Sequence, residues 1–279
     1  MPPSSTIKVA IAGGTGLVGK LIIDGLQRST LATFQITILS RTPASSTATA
    51  TVDYTDHSLL VSSLLLDQDI VIPTVHHYAS VEEIDHVLLT ACLEVGVKRF
   101  IPNDHKCDIT HHSVRDTAAR VLERRAGQIE WVVISPAQFL DDDYGYDIRA
   151  RKATLYDGGR NKATGCSIGL LGDVFALVLA DWMDGNKLGV IDQRIRVAKV
   201  EYTGLEILEL LEEVMGEEWS VVEDVSSAES LRRSAEAEGT GEWRKSFLAH
   251  VLRLNYNGSG AAHLAMGCPG VVMGFGGDR

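Results

Sequence analysis

The most constraining feature of this sequence is an apolar strand that runs directly into a glycine turn and then into a helical pattern. Residues 7–20 read Ile-Lys-Val-Ala-Ile-Ala-Gly-Gly-Thr-Gly-Leu-Val-Gly-Lys. Gly13 permits a sharp exit from the strand, Gly16 lets the backbone approach a pyrophosphate, and Gly19 lets the helix pack closely on its strand. The first N–H groups of the helix favour a phosphate. The pattern predicts a dinucleotide site, and the alternative is a glycine-rich turn without a ligand.

The composition indicates a globular chain with an anionic surface. Of its 279 residues, 45% are apolar and 23% are charged, and the net charge is −11. This charge repels phosphate backbones, so neither nucleic acid nor an anionic membrane is expected as a partner. The first residues lack the basic and apolar regions of a secretory signal, and there is no run of about eighteen apolar residues. We therefore expect a cytoplasmic protein whose four scattered cysteines are free thiols.

Strand-like and helical patterns alternate through the first half of the chain. Strands are predicted at 7–12, 35–40, 49–53, 69–74, 99–102 and 130–135, and helices at 18–28, 57–66, 80–95, 113–126, 169–183 and 204–215. Such alternation predicts an α/β fold, a Rossmann-type doubly wound parallel sheet with helices on both faces. We expect a dinucleotide-binding domain over 1–135 with return segments near 167–200. A smaller, partly interleaved substrate-binding domain is expected over 136–279.

The end of the second strand indicates which dinucleotide binds. NAD-preferring sites have a carboxylate there, whereas this chain reads Ser40-Arg41-Thr42, and the planar guanidinium of Arg41 suits a phosphate. We therefore predict NADP(H), against the alternative that Arg41 is an exposed loop residue. Asp53 either accepts a hydrogen bond from the adenine amino group or is an ordinary turn carboxylate. The predicted contacts in the first glycine turn are Gly13, Thr15, Gly16, Leu17, Val18 and Gly19.

Five segments in this order resemble one known family. They are the glycine turn at 13–19, Ser40-Arg41, Val52-Asp53-Tyr54, Gly-Val-Lys-Arg-Phe-Ile-Pro at 96–102 and Glu-Trp-Val-Val-Ile at 130–134. Together they resemble the NmrA-like and isoflavone reductase-like branch of the atypical short-chain dehydrogenases/reductases, to about residue 220. The resemblance implies an extended Rossmann domain that binds NADPH and a small domain that closes over a cleft. Catalytic members reduce small aromatic or polyketide-like molecules, whereas NmrA-type members bind the dinucleotide as sensors.

The sequence departs from the family at the proton donor. Reductase members carry a catalytic lysine at the position that aligns with Arg115. Arginine stays charged, so Arg115 can hold a ribose hydroxyl or stabilise an oxyanion but is a poor proton shuttle. His76 after the fourth strand and Lys106 after the fifth are the alternative donors. Each also has an ordinary interpretation, as a packed or solvated side chain.

The ends of the fourth and fifth strands and the loop after the sixth complete the predicted site. Thr74, Val75 and Asn103 are predicted to contact the cofactor. The predicted substrate contacts are Tyr78, Phe139, Tyr144 and Tyr146. Tyr144 and Tyr146 either stack on an aromatic substrate or anchor their loop.

Two other kinds of chemistry find no support in the sequence. His105, Cys107, His111 and His112 lie close together, but their spacing matches no common zinc framework, so no metal is expected. There is also no Gly-x-Ser-x-Gly turn of a serine hydrolase.

Three functions remain in competition. We expect an NADPH-dependent oxidoreductase acting on a small, aromatic or polyketide-like secondary metabolite. The alternatives are an NADP-binding regulator that binds a protein partner without turnover, and a redox-neutral isomerase or cyclase. A homodimer is left open.

Overall fold

The structure of the chain is a computed structural model. It describes residues 6–42, 49–75, 81–103, 127–141, 145–226, 228–230, 232–233, 236 and 271–274. Within these residues no helix is long and apolar enough to cross a lipid bilayer.

Strands and helices alternate in the first half, as the sequence predicts. The strands are β1 (Thr6–Ala12), β2 (Thr33–Ser40), β3 (Thr49–Thr51), β4 (Ile70–Pro73), β5 (Arg99–Phe100) and β6 (Glu130–Pro136). The helices are α1 (Leu17–Arg28), α2 (His57–Leu59) and α3 (Val81–Val95). The helix predicted over 57–66 differs, because a π-helical segment, Leu60–Leu64, follows α2. There the Leu65 N–H donates to the Leu60 carbonyl, and both leucines are fully buried.

Among the described residues, the second half of the chain adds eight short strands and two longer helices. The strands are β7 (Gln138–Phe139), β8 (Tyr146–Asp147), β9 (Lys152–Tyr156), β10 (Lys162–Cys166), β11 (Gln193–Ala198), β12 (Val200–Thr203), β13 (Ser220–Val225) and β14 (Val271–Gly274). The helices are α4 (Ile168–Met183) and α5 (Gly204–Met215), and a 3-10 turn spans Asp157–Gly159. None of these strands was predicted.

The strand order of the largest sheet creates a crevice. It runs β14–β11–β6–β5–β4–β1–β2–β3. The pairs β1/β2, β2/β3, β1/β4, β4/β5 and β5/β6 are all parallel. The chain builds β1 to β3 in one direction and then β4 to β6 in the other, so the order reverses between β1 and β4. Ligands bind outside the carboxyl ends of the strands at such a reversal. The predicted fold class, an α/β Rossmann-type parallel sheet, is confirmed.

Burial of the central strands explains why they form. Residues of β1 and β4 are almost entirely buried, which is typical of parallel strands covered on both faces. A core cluster lies between the strands and α3 and includes Ala10, Val71, Leu88, Phe100 and Val133. The Gly25 backbone of α1 meets the Gly172 backbone of α4, because neither residue carries a Cβ.

The chain divides into two compact units. The first comprises the described residues within Met1–His105, His112–Ser135 and Ile168–Ile195, and the second those within Lys106–His111, Pro136–Ser167 and Arg196–Arg279. The part of the second unit that the structure describes contains two three-stranded sheets, β12–β10–β7 and β13–β9–β8. One core cluster of this unit includes Tyr146, Ala153, Leu208 and Trp219, and another includes Ala163 and Tyr202.

Candidate functional site

Two glycines of the first turn are required by the close approach of the turn's own backbone and of the Thr74–Val75 segment that follows β4. Gly13 has φ +80°, and a Cβ there would lie 3.0 Å from the Thr74 carbonyl and from the Val75 nitrogen. A Cβ on Gly19 would lie 2.6 Å from Gly14 Cα and 2.9 Å from Thr74 Oγ1. Real Cβ atoms do not tolerate the shorter of these distances. Glycine at both positions therefore keeps a narrow backbone cradle open at the strand-order reversal.

The start of α1 presents backbone donors to this cradle. Gly16 is the N-cap residue, and no side chain caps the helix or places an acidic group in its first turn. The Gly16 N–H donates to the Gly13 carbonyl at 2.9 Å, which closes the turn. Thr15 and Leu17 are exposed beside it, Leu17 with 68% of its surface accessible. An uncapped, positively polarised helix start behind a glycine cradle fits a pyrophosphate.

The end of β2 supplies a cation. Ser40 is buried, and its Oγ accepts the Thr42 N–H at 3.2 Å. Arg41 and Thr42 are both exposed. Arg41 makes no ion pair with any other residue that the structure describes. A guanidinium at this place suits a phosphate at the β2 side of the crevice.

A buried tyrosine supports the ends of β1 and β2. The Tyr54 hydroxyl donates to the Leu39 carbonyl at 3.3 Å, and the Gly13 N–H donates to the same carbonyl at 3.0 Å. Burial raises the pKa of Tyr54 to about 12, against the opposing effects of the Arg41 charge and a hydrogen bond from the Gly13 N–H. Tyr54 and the glycine turn are therefore joined through the Leu39 carbonyl of β2.

Asp53 is engaged within its own turn. Its Oδ1 accepts the Thr55 Oγ1 hydroxyl at 2.7 Å and the Thr55 N–H at 2.9 Å. These hydrogen bonds lower the pKa of Asp53 below its usual value. The geometry favours the ordinary turn carboxylate, and an adenine contact stays a prediction.

The ends of β4 and β5 are linked by hydrogen bonds on the other side of the cradle. The Thr74 N–H and Oγ1 both donate to the Ala12 carbonyl, at 2.7 and 2.9 Å. The Asn103 side-chain amide donates to the Val75 carbonyl at 2.6 Å. The Asn103 N–H donates to Asp85 Oδ2 at 2.9 Å. The structure thus brings the glycine turn, Thr74, Val75 and Asn103 together.

The second unit holds the described members of the predicted substrate site. Phe139 is half-buried in β7. Tyr146 is 7% exposed, belongs to the core of this unit, and donates its hydroxyl to the Gly204 carbonyl at 2.7 Å. The buried, bonded Tyr146 favours the alternative in which it anchors the loop.

Several predicted residues lie outside the described part of the chain. These are His76, Tyr78, Lys106, Arg115 and Tyr144, together with the cluster His105, Cys107, His111 and His112. Among the described residues, no group of His, Cys, Asp and Glu side chains could hold a metal ion.

Two residues of the site were not predicted from the sequence. Tyr54 enters the sequence analysis only as part of the family resemblance, and its hydroxyl contact with Leu39 depends on how the segment after β3 packs on β2. Asp85 carries a detectable signal, because it is a carboxylate on the inner face of a predicted helix, four residues after Val81 and three before Leu88. A charged residue on an apolar helix face is unusual unless it has a buried partner.

The fold and site together define a Rossmann-type chain with a dinucleotide cradle. No family model matches the chain. Two fungal oxidoreductases are similar along most of it. Oxidoreductase poxI of Penicillium oxalicum is 25% identical over 264 residues, which cover 85% of this chain and 79% of poxI. Oxidoreductase aprR of Aspergillus flavus is 27% identical over 254 residues, which cover 82% of this chain and 80% of aprR.

Solved structures share this fold. An isoflavone reductase superimposes with a TM-score of 0.74 at 16% identity, over 97% of this chain and 93% of its own. AtPrR2, solved with NADP+ and (+)pinoresinol, superimposes with a TM-score of 0.74 at 17% identity, over 94% of this chain and 91% of its own. Leucoanthocyanidin reductase from Vitis vinifera, solved with NADPH, superimposes with a TM-score of 0.74 at 16% identity, over 96% of this chain and 92% of its own.

These findings confirm the resemblance that the sequence carries. The chain has the fold of isoflavone reductase-like proteins, and the curated relatives it matches are oxidoreductases, the predicted class. The prediction of NADP(H) agrees with the two neighbours that hold this dinucleotide.

Proposed function

We propose that this chain is an NADPH-dependent oxidoreductase that reduces a small, aromatic or polyketide-like secondary metabolite. The observation that carries the proposal is the backbone cradle between Gly13 and the Thr74–Val75 segment, at the reversal of strand order. The names and ligands of the similar proteins support the same class of activity.

Each part of the described site has a role in holding the cofactor. The first turn of α1 binds the pyrophosphate through backbone N–H groups, and Gly13 and Gly19 leave room for it. Arg41 binds the 2′-phosphate of the adenosine ribose. Val75 and Asn103, at the ends of β4 and β5, contact the nicotinamide half of the cofactor. When bound, NADPH supplies a hydride to the substrate.

The proton that accompanies the hydride has three proposed sources. They are His76, Lys106 and a water molecule held by Arg115. A general acid contributes about 10²–10⁴-fold to a rate, so loss of the true donor is a large effect. We expect one of the variants His76→Ala, Lys106→Ala and Arg115→Ala to lose turnover on this scale while NADPH still binds. Near-normal turnover in all three would reject the set.

The activity is tested by loss of reduced-nicotinamide absorbance with a panel of aromatic carbonyl compounds and enones. We expect NADPH to be consumed with at least one of them, and not by the Gly13→Val variant, whose side chain blocks the cradle. NADPH binding without turnover across the panel would favour the regulator, which the replacement of the family lysine by Arg115 also supports. Product formation without loss of NADPH would favour the isomerase or cyclase.

The organisation around this activity is also proposed. Residues 1–135, with the return segment near 167–200, serve the cofactor, and residues 136–279, with Phe139, serve the substrate. The partner is a small molecule, the location is the cytoplasm, and a homodimer is the oligomeric state to test. Size-exclusion chromatography with light scattering and cell fractionation check the last two statements.

A further inference from the structure

The buried carboxylate of α3 lies at the end of β5. Asp85 is 7% exposed, and its Oδ2 accepts the Asn103 N–H at 2.9 Å. The β4/β5 ladder includes a hydrogen bond from the Ile101 N–H to the Val71 carbonyl at 3.0 Å. Two residues later the Asn103 N–H turns to Asp85 instead of continuing along this ladder. Asp85 therefore fixes where the chain leaves the sheet.

Asn103 connects this carboxylate to the neighbouring strand end. Its side-chain nitrogen donates to the Val75 carbonyl at 2.6 Å, while its backbone N–H is held by Asp85. Two hydrogen bonds from one residue fix both its backbone and its amide plane. Because Oδ1 belongs to the same planar amide, its direction is fixed as well, and it can accept a hydrogen bond from a carboxamide.

The position of this group within the sheet decides which half of a dinucleotide it meets. β4 and β5 lie on one side of the strand-order reversal, whereas β2 and Arg41 lie on the other. In doubly wound sheets the two halves of a dinucleotide occupy the two sides of this crevice. With the adenosine phosphate at Arg41, the β4–β5 side is left for the nicotinamide.

We propose that Asp85 is a positioning residue for the nicotinamide half of the cofactor, acting through Asn103 and the Val75 carbonyl. The proposal rests on the proposed function, because it requires that a dinucleotide binds. A carboxylate that only stabilised the fold would affect both halves of the ligand alike. A carboxylate that positions the ends of β4 and β5 would affect only the binding of a ligand that reaches these ends.

Titration calorimetry with two ligands separates these possibilities. NADP+ reaches both sides of the crevice, whereas 2′,5′-ADP carries only the adenosine phosphates. We expect Asp85→Ala to weaken NADP+ binding about tenfold, as for one lost charge-assisted hydrogen bond, and to leave 2′,5′-ADP unchanged. Asp85→Asn keeps an acceptor oxygen and stays within about twofold of the wild type. Glu94→Ala removes an exposed carboxylate of the same helix and changes neither ligand.

The outcomes that overturn the proposal are distinct from those that overturn the proposed function. An equal loss of both ligands in Asp85→Ala, or no loss of either, rejects the positioning role. If Asp85→Ala fails to fold, Asn103→Ala is measured instead, and an equal or absent effect on the two ligands again rejects it. If the wild type binds neither ligand, the dinucleotide site itself is rejected.

Discussion

Single glycines determine how closely a ligand can approach the end of β1. We expect Gly19→Ala to weaken NADP+ binding at least tenfold, because its Cβ would lie 2.6 Å from Gly14 Cα and push the turn out of shape. Gly169→Ala is the matched control, since no residue that the structure describes lies within 4 Å of a Cβ there. Titration calorimetry measures both variants. Equal dissociation constants for Gly19→Ala and the wild type would show that the turn does not bind the dinucleotide.

Because of Tyr54, whose hydroxyl shares the Leu39 carbonyl with the glycine turn, the free energy of unfolding should fall at alkaline pH. Tyrosine in an unfolded chain has a pKa of about 10, and burial raises the pKa of Tyr54 to about 12. Because the folded-state pKa is the higher one, the neutral phenol stabilises the fold below pH 10. This stabilisation is lost as the pH rises to 12, and it amounts to about 3 kcal/mol.

Urea unfolding of the wild type and Tyr54→Phe between pH 9 and pH 12 tests this dependence. The free energy of unfolding should fall more steeply with pH in the wild type, because the variant has no phenol at this position. The difference between the two curves removes the contribution of all other titrating groups. Parallel curves would mean that Tyr54 titrates as an exposed tyrosine.

Residue chemistry also explains what the sequence could and could not reveal of the site. The glycine turn and Arg41 were predicted because their roles follow from backbone geometry and charge at one place in the chain. Tyr54 and Asp85 depend on contacts with Leu39 and Asn103, which lie 15 and 18 residues away. Such contacts exist only once the strands are ordered side by side.

The crossing of α1 and α4 is the element contact most sensitive to a single methyl group. A Cβ on Gly25 would overlap the Gly172 backbone, and one on Gly172 would overlap the Leu21 carbonyl. We expect Gly25→Ala and Gly172→Ala each to lower the free energy of unfolding by about 1–3 kcal/mol. Gly169 lies in α4 like Gly172, but no described residue lies within 4 Å of a Cβ there, so Gly169→Ala should be neutral or slightly stabilising. Urea denaturation measures all three, and unchanged midpoints for the first two would contradict this packing.

The elements themselves differ in how far local sequence determines them. The helix predicted over 204–215 has the same bounds as α5. The helices predicted over 18–28 and 169–183 differ from α1 and α4 only at their first residue, since the observed helices begin one residue earlier. Their apolar periodicity and caps are local signals. By contrast β13 has five exposed residues of six, and its residues pair with residues of β9 that lie 68 or 69 positions earlier in the chain. Its partner, rather than its own pattern, makes it a strand.

At the scale of the whole chain, the order of the parallel sheet could be predicted from the sequence, whereas the strands of the second unit could not. Alternating strands and helices predict a parallel sheet, and right-handed crossovers restrict its order, so the first half could be anticipated. In the second unit the pairs β10/β12, β7/β10 and β9/β13 join short strands that lie far apart in the chain. The chain leaves the first unit after Ser135 and returns to it over Ile168–Ile195. The sequence predicts return segments near 167–200, but it does not predict the strand pairs of the second unit.

The central claim is that a dinucleotide with a 2′-phosphate binds at the first β–α connection. Titration of the wild-type protein with NADP+ and with NAD+ tests it most directly. We predict saturable binding of one NADP+ per chain, tighter than that of NAD+ by about tenfold or more, as for one charge-assisted contact of Arg41 with the extra phosphate. Equal affinities, tighter binding of NAD+, or no heat with either ligand would contradict the account.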